Sequence, residues 1–389
     1  MRRVALTFAV LALALAISPA ASAGELKTIE VTSPHVEFSE EPPPLGTEGR
    51  AGPTLHANVL LPDGYDPDRR RGYPVLYLLH GATSDYRMWK SVGVERIAAD
   101  FPGVIVMPDG GGFGMYTDWY NRGEFGKPRW MTYHLTDLRR AINRRFNIRS
   151  GRRWHAIGGL SMGGMGAMRY AAADPGYFGS AFAISGAALE LQKDIVFTVF
   201  DGLGLLGAQG TTYDDVWGPR HGYYASAHNP IKLVPNLRHT RLWIGSGDGL
   251  PCPDNIVTDV LLEAELRIQA TSFAAAAREA GADVTEWREC GGHNSTAGRG
   301  LTAALAWGVF DRSVRAKPRS WTYITARPSG RMHDLRFRFA ERPATVIRFE
   351  RAGRKLSATG EGEVTIRVSR RCSLRAEIPF KRRLDSACR

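Results

Sequence analysis

A chain of 389 residues with 43% hydrophobic and 23% charged residues can pack a large domain and a small one, which excludes a disordered or fibrous protein. Its net charge of +12 is uneven: residues 318–389 hold 18 Lys/Arg against 7 Asp/Glu, so the rest of the chain is close to neutral. The four cysteines form no Cys-x-x-Cys, the ten histidines form no His-x-x-x-His, and neither a metal nor another cofactor is expected.

At the N-terminus Arg2-Arg3 precede an apolar run from Val4 to Ile17, and Ala21-Ser22-Ala23 has the form of a cleavage site. This predicts a signal peptide over residues 1–23 and a mature chain that is secreted or associated with the cell envelope. The apolar run is short for a membrane span, and no later stretch reaches about 18 apolar residues, so no transmembrane span is expected in the mature chain. Export permits disulfides, and pairing within each region predicts Cys252–Cys290 and Cys372–Cys388.

Residues 55 to about 310 alternate strand and helix patterns. Val59-Leu60-Leu61, Val75 to Leu79, Val104 to Met107, Ala181 to Ile184 and Leu242 to Ile244 are short apolar runs, several of them nearly continuous. Such runs are expected of strands buried on both faces of a mostly parallel sheet. Helical stretches, including Leu135 to Arg145 and Leu261 to Ala280, lie between them, which predicts a doubly wound α/β domain over residues 24–317. The apolar, glycine-containing segment 195–206 is a candidate lining for an acyl chain. From Arg336 the pattern becomes Arg-Phe-Arg-Phe, then Thr345 to Phe349 and Val364 to Val368, with turns expected at Gly353 and at Gly360-Glu361-Gly362. This alternation predicts a small all-β domain over residues 318–389. Its charge suits an anionic cell-envelope surface or acidic lipid headgroups; nucleic acid is not the expected partner of an exported chain.

The segment Gly158-Gly159-Leu160-Ser161-Met162-Gly163-Gly164 carries the chemistry. It contains Gly-x-Ser-x-Gly between a strand pattern, Trp154 to Ile157, and a helix pattern, Met165 to Ala173. That context is a nucleophile elbow, in which a sharp turn exposes the serine hydroxyl and flanking glycines remove side chains that would clash. A serine hydroxyl needs a histidine base, a carboxylate behind it and donors for the oxyanion. Downstream of Ser161, His293 sits in a glycine-containing loop after the expected strand Val284 to Glu289, whereas His221, His228 and His239 precede the expected acid position. For the acid, Asp248 follows the strand Leu242 to Ser246, and Glu263 lies on a predicted helix; periodicity alone leaves both open. The expected oxyanion donors are the backbone N–H groups of Met162 and Ala82, the latter in the loop His80-Gly81-Ala82-Thr83, which His80 and Gly81 are expected to shape.

These residues resemble the secreted mycolyltransferases (the fibronectin-binding antigens) within the esterase-D-like α/β-hydrolases. The likeness runs through most of residues 55 to 310: Tyr77 to Gly81 with Asp85-Tyr86 and Trp89, Met107-Pro108, Tyr116-Thr117-Asp118-Trp119-Tyr120, Trp130, the serine motif, Trp217-Gly218-Pro219 and Asn229-Pro230. It implies an α/β-hydrolase fold with a mostly parallel central sheet. It implies Glu263 rather than Asp248 as the acid, because Leu262-Glu263 with Arg267 resembles the segment bearing the family's glutamate. It further implies an acyl ester or glycolipid substrate, with His80, Thr83, Trp119 and Trp130 bordering the substrate site. The family carries Asp-Gly-Leu-Arg in its oxyanion loop, where the Asp and Arg contact trehalose; His80 and Thr83 stand there in this chain. An aromatic run also normally follows the histidine, where this chain has Asn294 to Gly298. Both departures point away from trehalose, toward esterase activity or another acyl acceptor. The alternative is a non-catalytic envelope-binding protein that keeps the hydrolase fold.

Overall fold

The computed structural model describes residues 24–36, 54–124, 126–188, 190–194, 198, 201, 211–250, 257–311, 314–369 and 371–384. The expected leader, most of segment 195–206, Cys252 and Cys388 lie outside the described residues, and with the two cysteines both expected disulfide pairings.

Eight strands form the central sheet: β1 (Leu26–Thr32), β2 (Thr54–Leu60), β3 (Val75–Leu79), β4 (Val104–Pro108), β5 (His155–Leu160), β6 (Ser180–Ile184), β7 (Arg241–Gly247) and β8 (Asp283–Glu289). Their order is β1-β2-β4-β3-β5-β6-β7-β8. The β1–β2 and β2–β4 pairs are antiparallel and all others parallel. Every residue of β3, β4, β5, β6 and β7 is buried, which is why their sequences are continuous apolar or glycine-rich runs. Helices Met162–Ala173 and Val257–Glu279 contribute to the core on one face, and Thr296–Ala306 to the core on the other.

The path of the chain sets where a ligand can bind. From β3 the chain steps outward to β4, then crosses back to β5 on the other side of β3. The strand order thus reverses between β3 and β5, and the crevice beyond the carboxyl ends of such strands is where open α/β sheets bind ligands. The loop His80–Thr83 leaves β3 there, and Ser161 leaves β5 beside it.

A separate antiparallel sheet follows, with β9 (Ser320–Thr325), β10 (Ser329–Met332), β11 (Leu335–Phe339), β12 (Ile347–Ala352), β13 (Lys355–Ser369) and β14 (Cys372–Arg383). In β11, Leu335, Phe337 and Phe339 are buried and Arg336 and Arg338 exposed, the alternation read from the sequence. Gly353, at φ 62°, turns β12 into β13 as expected. Gly360-Glu361-Gly362 is not a turn. These residues are an irregularity inside the long strand β13, where the register against β14 shifts between Ala358 and Gly362. Gly360 and Gly362 have φ of 116° and 123°, a conformation that serves a bulge as well as it serves a turn, and sequence alone does not separate the two.

Directional contacts join this second sheet to the helices and loops of the α/β domain. The Asn236 amide donates to the carbonyls of Ala172 (3.0 Å) and Ile324 (2.9 Å) and accepts from the Ile324 N–H at 2.7 Å. The Tyr323 hydroxyl donates to Ala173 O at 2.8 Å. A side chain on Gly176 would meet His333 O at 2.3 Å, so the chains pass each other there without room for a methyl group.

Candidate active site

Ser161 occupies the corner between β5 and the helix Met162–Ala173 with φ 57° and ψ −121°, a strained conformation for a residue with a side chain. Neighbouring backbone holds it there. Its N–H donates to Ile184 O at the end of β6 (2.8 Å). A methyl group on Gly163 would lie 2.4 Å from Leu79 O, and one on Gly186 would lie 2.2 Å from Ser161 O. The doubled glycines of the motif are thus the price of wedging the corner between the ends of β3 and β6.

The loop after β3 uses its N–H groups selectively. That of Gly81 faces the Met88 sulfur at 3.3 Å, and that of Thr83 donates to Gly112 O at 2.7 Å. Among the described residues, neither the Ala82 N–H nor the Met162 N–H meets a protein acceptor. Ala82 is half-buried and Ser161 partly exposed.

Glu263 is completely buried. Its Oε2 lies 3.0 Å from His293 Nδ1, and its Oε1 accepts from the Ser185 hydroxyl at 2.8 Å and from the Gly247 N–H at 2.5 Å. With Glu263 ionised, His293 carries its proton on Nδ1 and leaves Nε2 as the basic nitrogen. Thr296 Oγ1 is 2.8 Å from Ser185 Oγ and donates to His293 O at 2.7 Å, so it ties the histidine loop to the carboxylate's support. Asp248 stands apart. Its Oδ1 accepts from the N–H groups of Leu250 (2.9 Å) and Gly291 (3.1 Å), which shapes the loop ahead of His293. Burial raises its pKa, but these bonds and Arg267 outweigh burial and leave it lowered. Ser185, Gly247 and Thr296 were not foreseen. The available signal was a serine followed by glycine directly after the apolar run Ala181 to Ile184.

The expected substrate-bordering residues divide. Thr83 is exposed and Trp119 half-buried, with the Trp119 indole N–H donating to Gly114 O at 3.2 Å. His80 and Trp130 are buried, each 1% exposed. His80 Nε2 accepts from the Gly110 N–H at 2.9 Å and its Nδ1 lies 2.7 Å from Gly81 O, so the ring braces the loop from within. Trp130 packs beneath Gly111 and Gly114, where added methyl groups would meet its ring or indole nitrogen at 2.6 Å. Of the rival histidines, His228 stacks on Tyr224 at 4.0 Å and His239 lies 2.7 Å from Ser320 O, each committed to packing or docking.

Residues 50–303 match the family model described as "Putative esterase". The chain belongs to this esterase family. It is 36% identical over 206 residues to Esterase Rv1288 of Mycobacterium tuberculosis, a match covering 51% of this chain and 43% of that protein. The chain thus spans less than half the length of that relative. It is 31% identical over 197 residues to the diacylglycerol acyltransferase/mycolyltransferase Ag85B of Mycobacterium leprae, covering 46% of this chain and 57% of that one. Among solved structures, Mycobacterium tuberculosis MPT51 (FbpC1) aligns over 74% of this chain and 98% of its own, with a TM-score of 0.57 and 22% identity. That likeness carries the α/β-hydrolase fold, to which this chain adds its antiparallel β domain.

Proposed function

We propose that this protein is an exported serine ester hydrolase or acyltransferase that works through an acyl-Ser161 intermediate. The single observation that carries this reading is the buried Glu263–His293 contact of 3.0 Å, held on a sheet whose switch point also presents Ser161. The names of the esterase and mycolyltransferase relatives support the same chemistry.

His293 Nε2 takes the Ser161 proton as Oγ attacks the ester carbonyl carbon. The carbonyl oxygen gains the negative charge and turns toward the Ala82 and Met162 N–H groups, the latter at a helix N-terminus. Collapse breaks the ester C–O bond, and the leaving alkoxide takes the proton from His293. Water or a sugar hydroxyl then gives its proton to His293 and attacks the acyl-enzyme, and Ser161 recovers its proton as it leaves. Hydrolysis and transfer differ only in that acceptor. Glu263 keeps the imidazole oriented and stabilises its cationic form in both halves.

The test is turnover of a long-chain acyl p-nitrophenyl ester, followed by nitrophenol release and intact mass. A transient mass increase equal to the acyl group, absent in Ser161→Ala, is expected. Acyl-sugar product with added trehalose or another sugar identifies a transferase, and free acid alone identifies an esterase. Nitrophenol release that survives Ser161→Ala would sink the serine mechanism.

A further inference from the structure

A second site lies at the other end of the helix that begins beside Ser161. The helix Met162–Ala173 has twelve residues and is about 18 Å long, which sets the distance to its far end. There a cleft of about 800 Å³ opens between the catalytic domain and the β domain. Its walls carry Arg139 and Arg140 on one side and Arg327, Arg331, Arg336, Arg338 and Arg367 on the other. Among the described residues, Asp174 is the one carboxylate in its lining. It is already engaged by Arg139 at 2.9 Å and Arg331 at 3.3 Å.

The strand register makes this charge specific. Arg331 on β10 is directly opposite Arg336 on β11, Arg336 is directly opposite Arg367 on β13, and Arg367 is opposite Ser373 on β14. Three cations therefore stand in one row across adjacent strands, about 5 Å apart, where like charges repel. The next row places Arg338 opposite Thr365. Among the described residues, Arg336, Arg338 and Arg367 meet no carboxylate. Arg375 shows how this sheet neutralises an arginine it does not present, since it pairs with Glu363 on the adjoining strand. Within the row Arg331 alone reaches a carboxylate, the Asp174 it shares with Arg139, so among the described residues the repulsion between Arg336 and Arg367 is retained where the cleft opens.

We infer that this interdomain cleft binds a ligand carrying two or more phosphate groups. A carboxylate offers two oxygens and one charge; a phosphate offers more of both and accepts forks from two arginines at once. Arginines at cross-strand spacing suit the second case. The site is separate from the ester chemistry at Ser161 and does not depend on it. It gives the basic domain a defined binding point in place of diffuse attraction.

The probe is sodium tripolyphosphate, titrated calorimetrically into the full mature chain at low ionic strength. Saturable binding near one site per chain is expected, weakened about tenfold or more by Arg336→Ala/Arg367→Ala. The control Lys355→Ala/Arg382→Ala removes equal charge about 35 Å along β13 and is expected to leave affinity within about twofold. Arg336→Lys/Arg367→Lys keeps the charge, loses the fork, and is expected to fall between the two. Ester turnover is expected to be unchanged in all three variants. A second arm measures co-sedimentation with vesicles of phosphatidylcholine, with and without phosphatidylglycerol. Tripolyphosphate that displaces the protein from anionic vesicles assigns the cleft to lipid phosphates; tight binding without displacement assigns it to a soluble phosphate ligand. No saturable binding, or equal weakening by the two alanine pairs, overturns the inference.

Discussion

Glu263 Oε2 lies 3.0 Å from His293 Nδ1, and the same carboxylate is anchored on its other oxygen by Ser185 and the Gly247 N–H. A buried carboxylate with three donors has little freedom to turn, so the imidazole it faces is fixed in both tautomer and direction. Glu263→Gln presents an amide in place of one acceptor and favours the wrong tautomer. It is expected to lower kcat by about 10³–10⁴-fold with a small change in KM. Asp248→Asn keeps an oxygen for Leu250 and Gly291 and is expected to retain turnover within a few-fold. Steady-state kinetics of the two variants decide between the carboxylates, and the opposite ranking would reverse the assignment.

Ser185 is a positioning residue for that carboxylate. Its φ of 49° is unusual for a residue with a side chain, and the strain aims its hydroxyl at Glu263. Ser185→Ala removes one hydrogen bond to a buried charge, of the kind that contributes about 1.5–3 kcal/mol. A fall in kcat of about ten- to hundredfold is expected, with KM unchanged. Ser185→Thr keeps the hydroxyl and is expected to recover part of the loss, an outcome a purely structural role would not produce. An unchanged kcat in Ser185→Ala would remove Ser185 from the machinery.

Gly186 tests whether the corner at Ser161 is held from β6. A methyl group there would lie 2.2 Å from Ser161 O, a contact with backbone that only a shift of the elbow can relieve. Gly186→Ala is expected to cut kcat by more than about hundredfold, because displacement of a nucleophile by a fraction of an ångström has that effect. A fluorophosphonate labelling rate reads the same loss without dependence on substrate choice. Normal labelling would show that the corner yields harmlessly.

How much of this was legible in the sequence follows from where the information resides. The strands β3, β4 and β6 announced themselves because burial on both faces leaves only apolar residues. β1 did not: it is an edge strand, its residues are mostly exposed or half-buried, and only Val31 is fully covered. The serine corner was readable because its requirements are local, a glycine on either side of one residue. The support of Glu263 was not, since Ser185 reaches it across 78 positions of sequence. His80, expected both to shape its loop and to border the substrate, and Trp130 are ambiguous for a related reason. A polar or aromatic residue beside a site reads the same whether it faces the ligand or braces the loop from behind.

Three buried histidines predict how stability responds to acid. His134 lies between Tyr170 (2.9 Å from Nδ1) and Asp109 O (2.6 Å from Nε2), which satisfies the neutral ring completely. Burial lowers its pKa to about 3, and likewise lowers His155 to about 4 and His228 to about 3. In the unfolded chain each titrates near 6.5. Between these values the unfolded state binds more protons, so stability is full above pH 6.5 and is lost as the pH falls toward 4. The slope is up to about 1.4 kcal/mol per pH unit for each histidine. Thermal melting from pH 7.5 to 4.5 is expected to show a falling Tm. His134→Gln is expected to lower Tm at neutral pH and to flatten that dependence; an unchanged slope would refute the role of His134.

The last prediction concerns Asn236, which is 2% exposed and joins the helix end at Ala172 to both backbone groups of Ile324 on β9. It acts as an extra strand residue for β9, supplying a donor and an acceptor at the spacing the ladder requires. Asn236→Ala leaves the Ile324 N–H and C=O without these partners, at about 1–3 kcal/mol for each group that stays dry. A Tm lower by several degrees is expected, together with faster hydrogen exchange across Trp321 to Thr325. Exchange at the Ser161 corner is expected to be unaffected. Asn236→Asp keeps the acceptor but loses the amide donor, and is expected to be at least as damaging. If β9 exchanges at the parent rate in Asn236→Ala, the Tyr323 hydroxyl bond to Ala173 and the close passage of Gly176 and His333 hold the β domain in its place.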